Sequence, residues 1–203
     1  MRVFVISMDT EVGNQRRKKL NYEFEWFVAN KSAMPFIKTK IIHFWSAKEK
    51  NRKGKEGVLD SYYRLFKKIY EEKISDCIIA EDDCHLINLP KVLPNKLCYL
   101  NGLFINKNNW NKYNDFNKQT GYHEIDYSKS RILGLWGLYV PSYKSVLPII
   151  EMIEKSKRLR AIDIMIMKHR LIKHYVYPSY FYVDDEGFSQ LNNKITGIHR
   201  DYA

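Results

Sequence analysis

The sequence has little of several residues that mark common protein classes. It holds three cysteines, Cys77, Cys84 and Cys98. An odd number at these spacings builds neither a disulfide framework nor a zinc ribbon, so they read as small buried thiols in a reducing compartment. Glycine (9) and proline (6) are sparse, which leaves no collagen-like or linker-like tract, and no repeat occurs. No run approaches the ~18 apolar residues of a membrane span. The apolar part of "MRVFVISMDT" is too short for a secretory signal. The chain therefore reads as soluble and made in the cytosol. Acids are outnumbered, 23 against 34 Lys and Arg, for a net charge of +11. That balance favours anionic partners. Yet the bases fall into three separate clusters, "RRKKL" (16–20), "KEKNRKGKEG" (48–57) and "KSKRLR" (155–160). With no stripe and no nucleic-acid motif, a nucleic-acid partner is not expected.

What is present is core material. The chain has 203 residues, 45% of them hydrophobic, with 15 tyrosines, which suits one domain spanning 1–203. "RVFVIS" is a compact first strand, followed by a polar stretch rich in Arg and Lys. "KIIHFWSA" (40–47) reads as a second strand and "NRKGKEG" as a loop with Gly54 and Gly57 as breakers. Val58, Leu59, Tyr62, Leu65, Phe66 and Ile69 recur at helical spacing. "DCIIA" is a short buried strand, and "KLCYLNGLFI" supplies one or two more. The Asn-rich stretch that follows reads as a long loop. "ILGLWGLYVP" is a Gly-punctuated strand. "SYKSVLPIIEMIEKSK" and "AIDIMIMKHRLIKH" are helices, "YVYPSYFYV" is a closing strand, and the tail is polar. Strands alternating with helices predict an α/β domain with a mainly parallel central sheet.

The residues that carry chemistry follow "DCIIA": Glu81, Asp82 and Asp83 in "CIIAEDDCHL". In open α/β sheets ligands bind beyond the carboxyl ends of the strands, which is where this triplet falls. Three adjacent negative charges need solvent, basic partners or a cation. Carboxylates without a His/Cys cluster suit a hard cation, Mn²⁺ or Mg²⁺, shared with a substrate diphosphate.

"VFVISMD" at the start, "EGVLDSYYRLFKKI", "CIIAEDDCHLI", "GLWGLYVPSYKSVLPIIE" and "AIDIMIMKH" occur in an order that resembles glycosyltransferase family 25, the lipooligosaccharide and collagen galactosyltransferases. The resemblance covers about residues 1–10 and 55–190. Small chlorovirus glycosyltransferase domains are similar too. The chain departs from the family pattern in having Val58 where the family has Cys, and Ser61 followed by Tyr62 where it has Ser-His.

The resemblance implies a GT-A-like (Rossmann-like) fold and metal-dependent transfer of a sugar from a nucleotide-diphosphate sugar, UDP-sugar favoured, to a glycan or glycoprotein hydroxyl. It implies Glu81 and Asp83 as metal ligands, with His199 in the tail completing the set. Ser7, Met8 and Asp9 would meet base and ribose, and Arg16 (or Arg17) phosphate; Lys53, in a loop whose glycines permit close approach, is another candidate donor contact. Asp163, opening a helix, is the candidate general base, with the cluster Asp184, Asp185 and Glu186 as its rival, Asp185 foremost. Trp136 is a candidate for stacking on a sugar. The composition suits an AT-rich genome, so a virus-encoded enzyme acting in a host cytoplasm fits. The alternative is a metal-dependent nuclease or nucleotidyltransferase, which would share the acids and the basic charge.

Overall fold

The computed structural model describes residues 1–29, 41–42, 49–88, 93–108, 114–183, 188–189 and 194–195. The strands are β1 Arg2–Met8, β2 Glu25–Ala29, β3 Ile41–Ile42, β4 Cys77–Glu81, β5 Cys84–Leu86, β6 Cys98–Asn106, β7 Gly121–Glu124, β8 Ser130–Val140, β9 Arg158–Leu159, β10 His174–Tyr177, β11 Phe181–Val183, β12 Phe188–Ser189 and β13 Lys194–Ile195. The helices are α1 Glu11–Lys19, α2 Glu49–Glu71, α3 Leu147–Lys155 and α4 Ile162–His169.

Seven strands form the central sheet in the order β2-β1-β4-β8-β6-β10-β7. β2, β1, β4, β6 and β10 share one direction; β8 and β7 run against them. The sheet is thus mainly parallel and flanked by helices, as expected for an α/β fold.

One face is covered by α2, α3 and α4. Phe4, Ile6, Cys77, Ile79, Leu138 and Val140 of the strands pack there against Leu59, Tyr62, Phe66, Ile149, Ile153 and Ile166. The other face carries a smaller cluster. Val3, Ile78, Ala80, Leu100 and Tyr139 meet Phe181 and Cys84 of the β5–β11 ladder, with Tyr22 and Phe24 against them. Period-2 alternation along β1 and β4 divides their side chains between the two clusters.

Several local readings change. α2 runs through Gly54 and Gly57, so Lys53 belongs to a helix and not to a loop. A glycine costs a helix only about 1 kcal/mol, and the buried face that begins at Leu59 offsets that. α1 and β2 lie where the sequence offers only a charged, aromatic stretch. α1 has no apolar face; it rests on the Thr10 cap, whose hydroxyl accepts from Gly13 N, and on Glu11 in the first turn with bases in the last. The closing strand is two strands in two sheets, β10 and β11, separated by a cis Tyr177–Pro178 bond. Pro148 sits in the first turn of α3, where no N–H is needed. Of the strand expected at 40–47, residues 41–42 are described, paired with β9. Among the described residues no helix is long and apolar enough to cross a membrane.

Candidate active site

β1 and β4 are parallel neighbours with Ile6 opposite Glu81, so their carboxyl ends reach the same edge of the sheet. α1 begins immediately after β1 and lies so close that a Cβ on Gly13 would stand 2.1 Å from the Met8 carbonyl oxygen. β8 continues past the end of β4 on the other side, and α4 packs on it. Ser7, Met8, Arg16, Glu81, Asp83 and Asp163 line this one edge.

Glu81 is the last residue of β4 and Asp82 lies in the turn that follows, and the two side chains meet different partners. Asp82 turns toward α1 and is buried. Ser7 Oγ donates to its Oδ2 at 2.6 Å, and Arg16 Nη1 donates to its Oδ1 at 3.0 Å. Arg17 extends the network: its Nη1 donates to Ser7 Oγ at 2.5 Å and to Met8 O at 3.0 Å, and its Nη2 to Asn14 Oδ1. The Arg17 guanidinium lies 3.7 Å from the ring centre of Trp26 on β2, whose indole N–H donates to Ser7 O at 3.1 Å. Asp83 is in the turn after β4. Its Oδ2 is 3.7 Å from Arg16 Nη1, and its Oδ1 accepts the Cys84 thiol at 3.6 Å.

Glu81 turns toward the helices. Tyr62 of α2 places its hydroxyl 2.9 Å from Glu81 Oε1 and 3.1 Å from Leu135 O on β8. Burial pushes the Glu81 carboxyl up to about 8; the charge of Asp83 adds to this, the Tyr62 hydrogen bond opposes it, and Asp82 and Asp163 add smaller repulsions. Burial also drives the Tyr62 phenol well above its ordinary range, with Glu81 adding to the effect.

Asp163 stands in the first turn of α4. Its Oδ1 accepts from Ile164 N at 2.8 Å and its Oδ2 from Gly134 N at 3.1 Å. It thus serves helix-end donors that have no intrahelical partner and reaches across to β8. Gly134 has φ +82, and a Cβ there would sit 2.7 Å from the Trp136 ring. Trp136 is half-buried and packs against the smaller cluster.

The other expected residues fall as follows. Asp9 is exposed just before the Thr10 cap. Met8 contributes its carbonyl, which accepts from Arg17 and from Thr10 N. Arg16 is held by the acids. Asp184, Asp185, Glu186 and His199 lie outside the described residues, although Val183, just before the first three, is paired with Cys84. Two residues with site contacts were not singled out from the sequence for this role. Tyr62 had its helical spacing and its place where the family has the His of Ser-His, and Trp26 sits in "EWFVA", whose aromatic and β-branched content was the available strand signal.

Glu81 and Asp83 fit a hard cation in donor type. Two carboxylates plus substrate phosphates are the usual set for Mg²⁺. Among the described residues no group of three or more His, Cys, Asp or Glu is gathered as a metal site.

No protein-family model and no curated protein matches the chain; the likeness to family 25 rests on its motifs alone. Among solved structures, a CTP:phosphocholine cytidylyltransferase from Streptococcus pneumoniae superposes with a TM-score of 0.42 at 11% identity, covering 90% of this chain and 92% of that one.

Proposed function

We propose that the protein is a cation-dependent glycosyltransferase of GT-A type, taking a sugar from a nucleotide-diphosphate sugar, UDP-sugar favoured, to a hydroxyl of a glycan or glycoprotein. The observation that supports it is the single edge that gathers Ser7, Arg16 and Arg17 from β1 and α1, Glu81 and Asp83 from β4 and its turn, and Asp163 from α4. Such an edge, beyond the carboxyl ends of parallel strands, is where α/β sheets take nucleotides.

In this reading Ser7, Met8 and Asp9 border the nucleoside. Arg16 and Arg17 supply positive charge for the diphosphate. Glu81 and Asp83 would hold Mn²⁺ or Mg²⁺, with His199 as a further ligand; a bound cation would screen the diphosphate and stabilise the leaving group. Asp163 takes the proton of the acceptor hydroxyl. Its carboxylate accepts two N–H groups, one of them within the first turn of its helix, and these hold it in place at the start of α4. Asp185 is the rival for that role. A cytoplasmic location fits this reading.

A thermal-shift titration tests it. UDP or GDP with Mn²⁺ should raise the melting temperature, and neither duplex nor single-stranded DNA should do so. Asp83→Ala should abolish the Mn²⁺-dependent part of the shift. A variant that keeps it would remove Asp83 from the cation site, and stabilisation by DNA alone would favour a nuclease or nucleotidyltransferase.

A further inference from the structure

The two halves of the edge are tied together by one peptide segment. Gly134 N–H donates to Asp163 Oδ2, and the next residue, Leu135, offers its carbonyl oxygen 3.1 Å from the Tyr62 hydroxyl. The same hydroxyl is 2.9 Å from Glu81 Oε1. Glu81, Tyr62, the Gly134–Leu135 segment and Asp163 therefore form a continuous chain of contacts from β4, through α2 and β8, to α4.

The phenol is 1% exposed and has one proton for two acceptors. The hydroxyl stands between the Glu81 carboxyl and the Leu135 carbonyl, and so fixes where Glu81 lies relative to β8.

We infer that Tyr62 is a positioning residue that holds Glu81 for the cation-bound nucleotide. The inference rests on the donor site proposed above and deepens it. It makes α2 more than a packing helix, because Tyr62 brings a hydroxyl into a buried face that it shares with the apolar Leu59, Leu65, Phe66 and Ile69.

A second buried tyrosine provides the internal control. Tyr99 on β6 is also 1% exposed, and among the described residues its hydroxyl has no hydrogen-bond partner. Tyr62→Phe and Tyr99→Phe thus remove the same atom from equally buried rings.

The experiment measures the dissociation constant of UDP, with and without Mn²⁺, in wild type, Tyr62→Phe and Tyr99→Phe. Tyr62→Phe should weaken Mn²⁺-dependent binding by about tenfold, the size expected for losing one hydrogen bond to a charged group, and leave metal-free binding unchanged. Tyr99→Phe should change neither. Equal weakening with and without Mn²⁺ would make Tyr62 a packing residue and overturn the inference. Wild-type protein that shows no Mn²⁺-dependent UDP binding would overturn the donor reading and the positioning role together, whereas intact wild-type binding that Tyr62→Phe preserves in full overturns the positioning role alone.

Discussion

Glu81 and Asp82 are adjacent in the chain and live in opposite surroundings. Asp82 is met by Arg16 and Ser7, with Arg17 and Trp26 behind them. Glu81 is met by a phenol, a backbone carbonyl nearby and two further carboxylates, and its pKa rises to about 8. Asp82 has left the strand for the turn after β4, where α1 brings bases to it, while α2 and α4 bring a phenol and an acid to Glu81 at the strand's end. Asp82 anchors Arg16, and Glu81 is met by Tyr62.

The largest test of this contrast disturbs the α1 side alone. Gly13→Ala places a Cβ against the Met8 carbonyl, so α1 must move from the end of β1. A loss of about 3 kcal/mol in denaturant unfolding is expected, at the upper end of overpacking costs. Arg16→Met comes next. It leaves Asp82 buried with the Ser7 hydroxyl as its remaining partner among those described above, and about 2–3 kcal/mol should be lost, below the cost of stripping a fully buried pair. A change under 1 kcal/mol in the same measurement would mean that Asp82 does not depend on Arg16.

The third test addresses the helix side through pH. The folded Glu81 carboxyl keeps its proton up to about pH 8, whereas an ordinary glutamate loses it near 4.5. Between those values the folded chain binds more protons than the unfolded one, so stability falls as the pH rises across the interval and levels off above it. Glu81→Gln removes that proton from both states. Its melting temperature should therefore gain on that of the wild type from pH 5 to pH 8; a difference that stays constant would show Glu81 to be ionised throughout. The smallest effect is Ser7→Ala, which removes one donor to Asp82 and one acceptor for Arg17 and should cost about 1 kcal/mol.

Much of this site was legible before folding was considered. The buried strand ending in Glu81-Asp82-Asp83, the compact strand ending at Ser7, and Asp163 at the start of an apolar helix all follow from local pattern. What lay beyond the pattern has identifiable causes. α1 has no apolar periodicity, and its cap and charge signals sit in a stretch that reads as solvated polar chain. The glycines at 54 and 57 read as breakers, although a long helix tolerates them when the face that follows is deeply buried. Trp26 touches Ser7 only because β2 pairs in parallel with β1, a contact 19 residues away in sequence.

The sequence by itself determined the α/β alternation, the burial of β1, β4 and α2, and the placing of acids at a strand end. These depend on periodicity and composition within a dozen residues, where local sterics and hydrophobic spacing decide. The tertiary structure decided which acid faces which partner. That Arg16 screens Asp82 and Asp83, that Tyr62 holds Glu81, and that Gly134 joins β8 to Asp163 depend on strand order, register and helix side. Those contacts span from 19 to 67 positions in the chain, and a carboxylate's pKa is set by what surrounds it in space, since burial and nearby charge act over a few ångströms regardless of sequence distance.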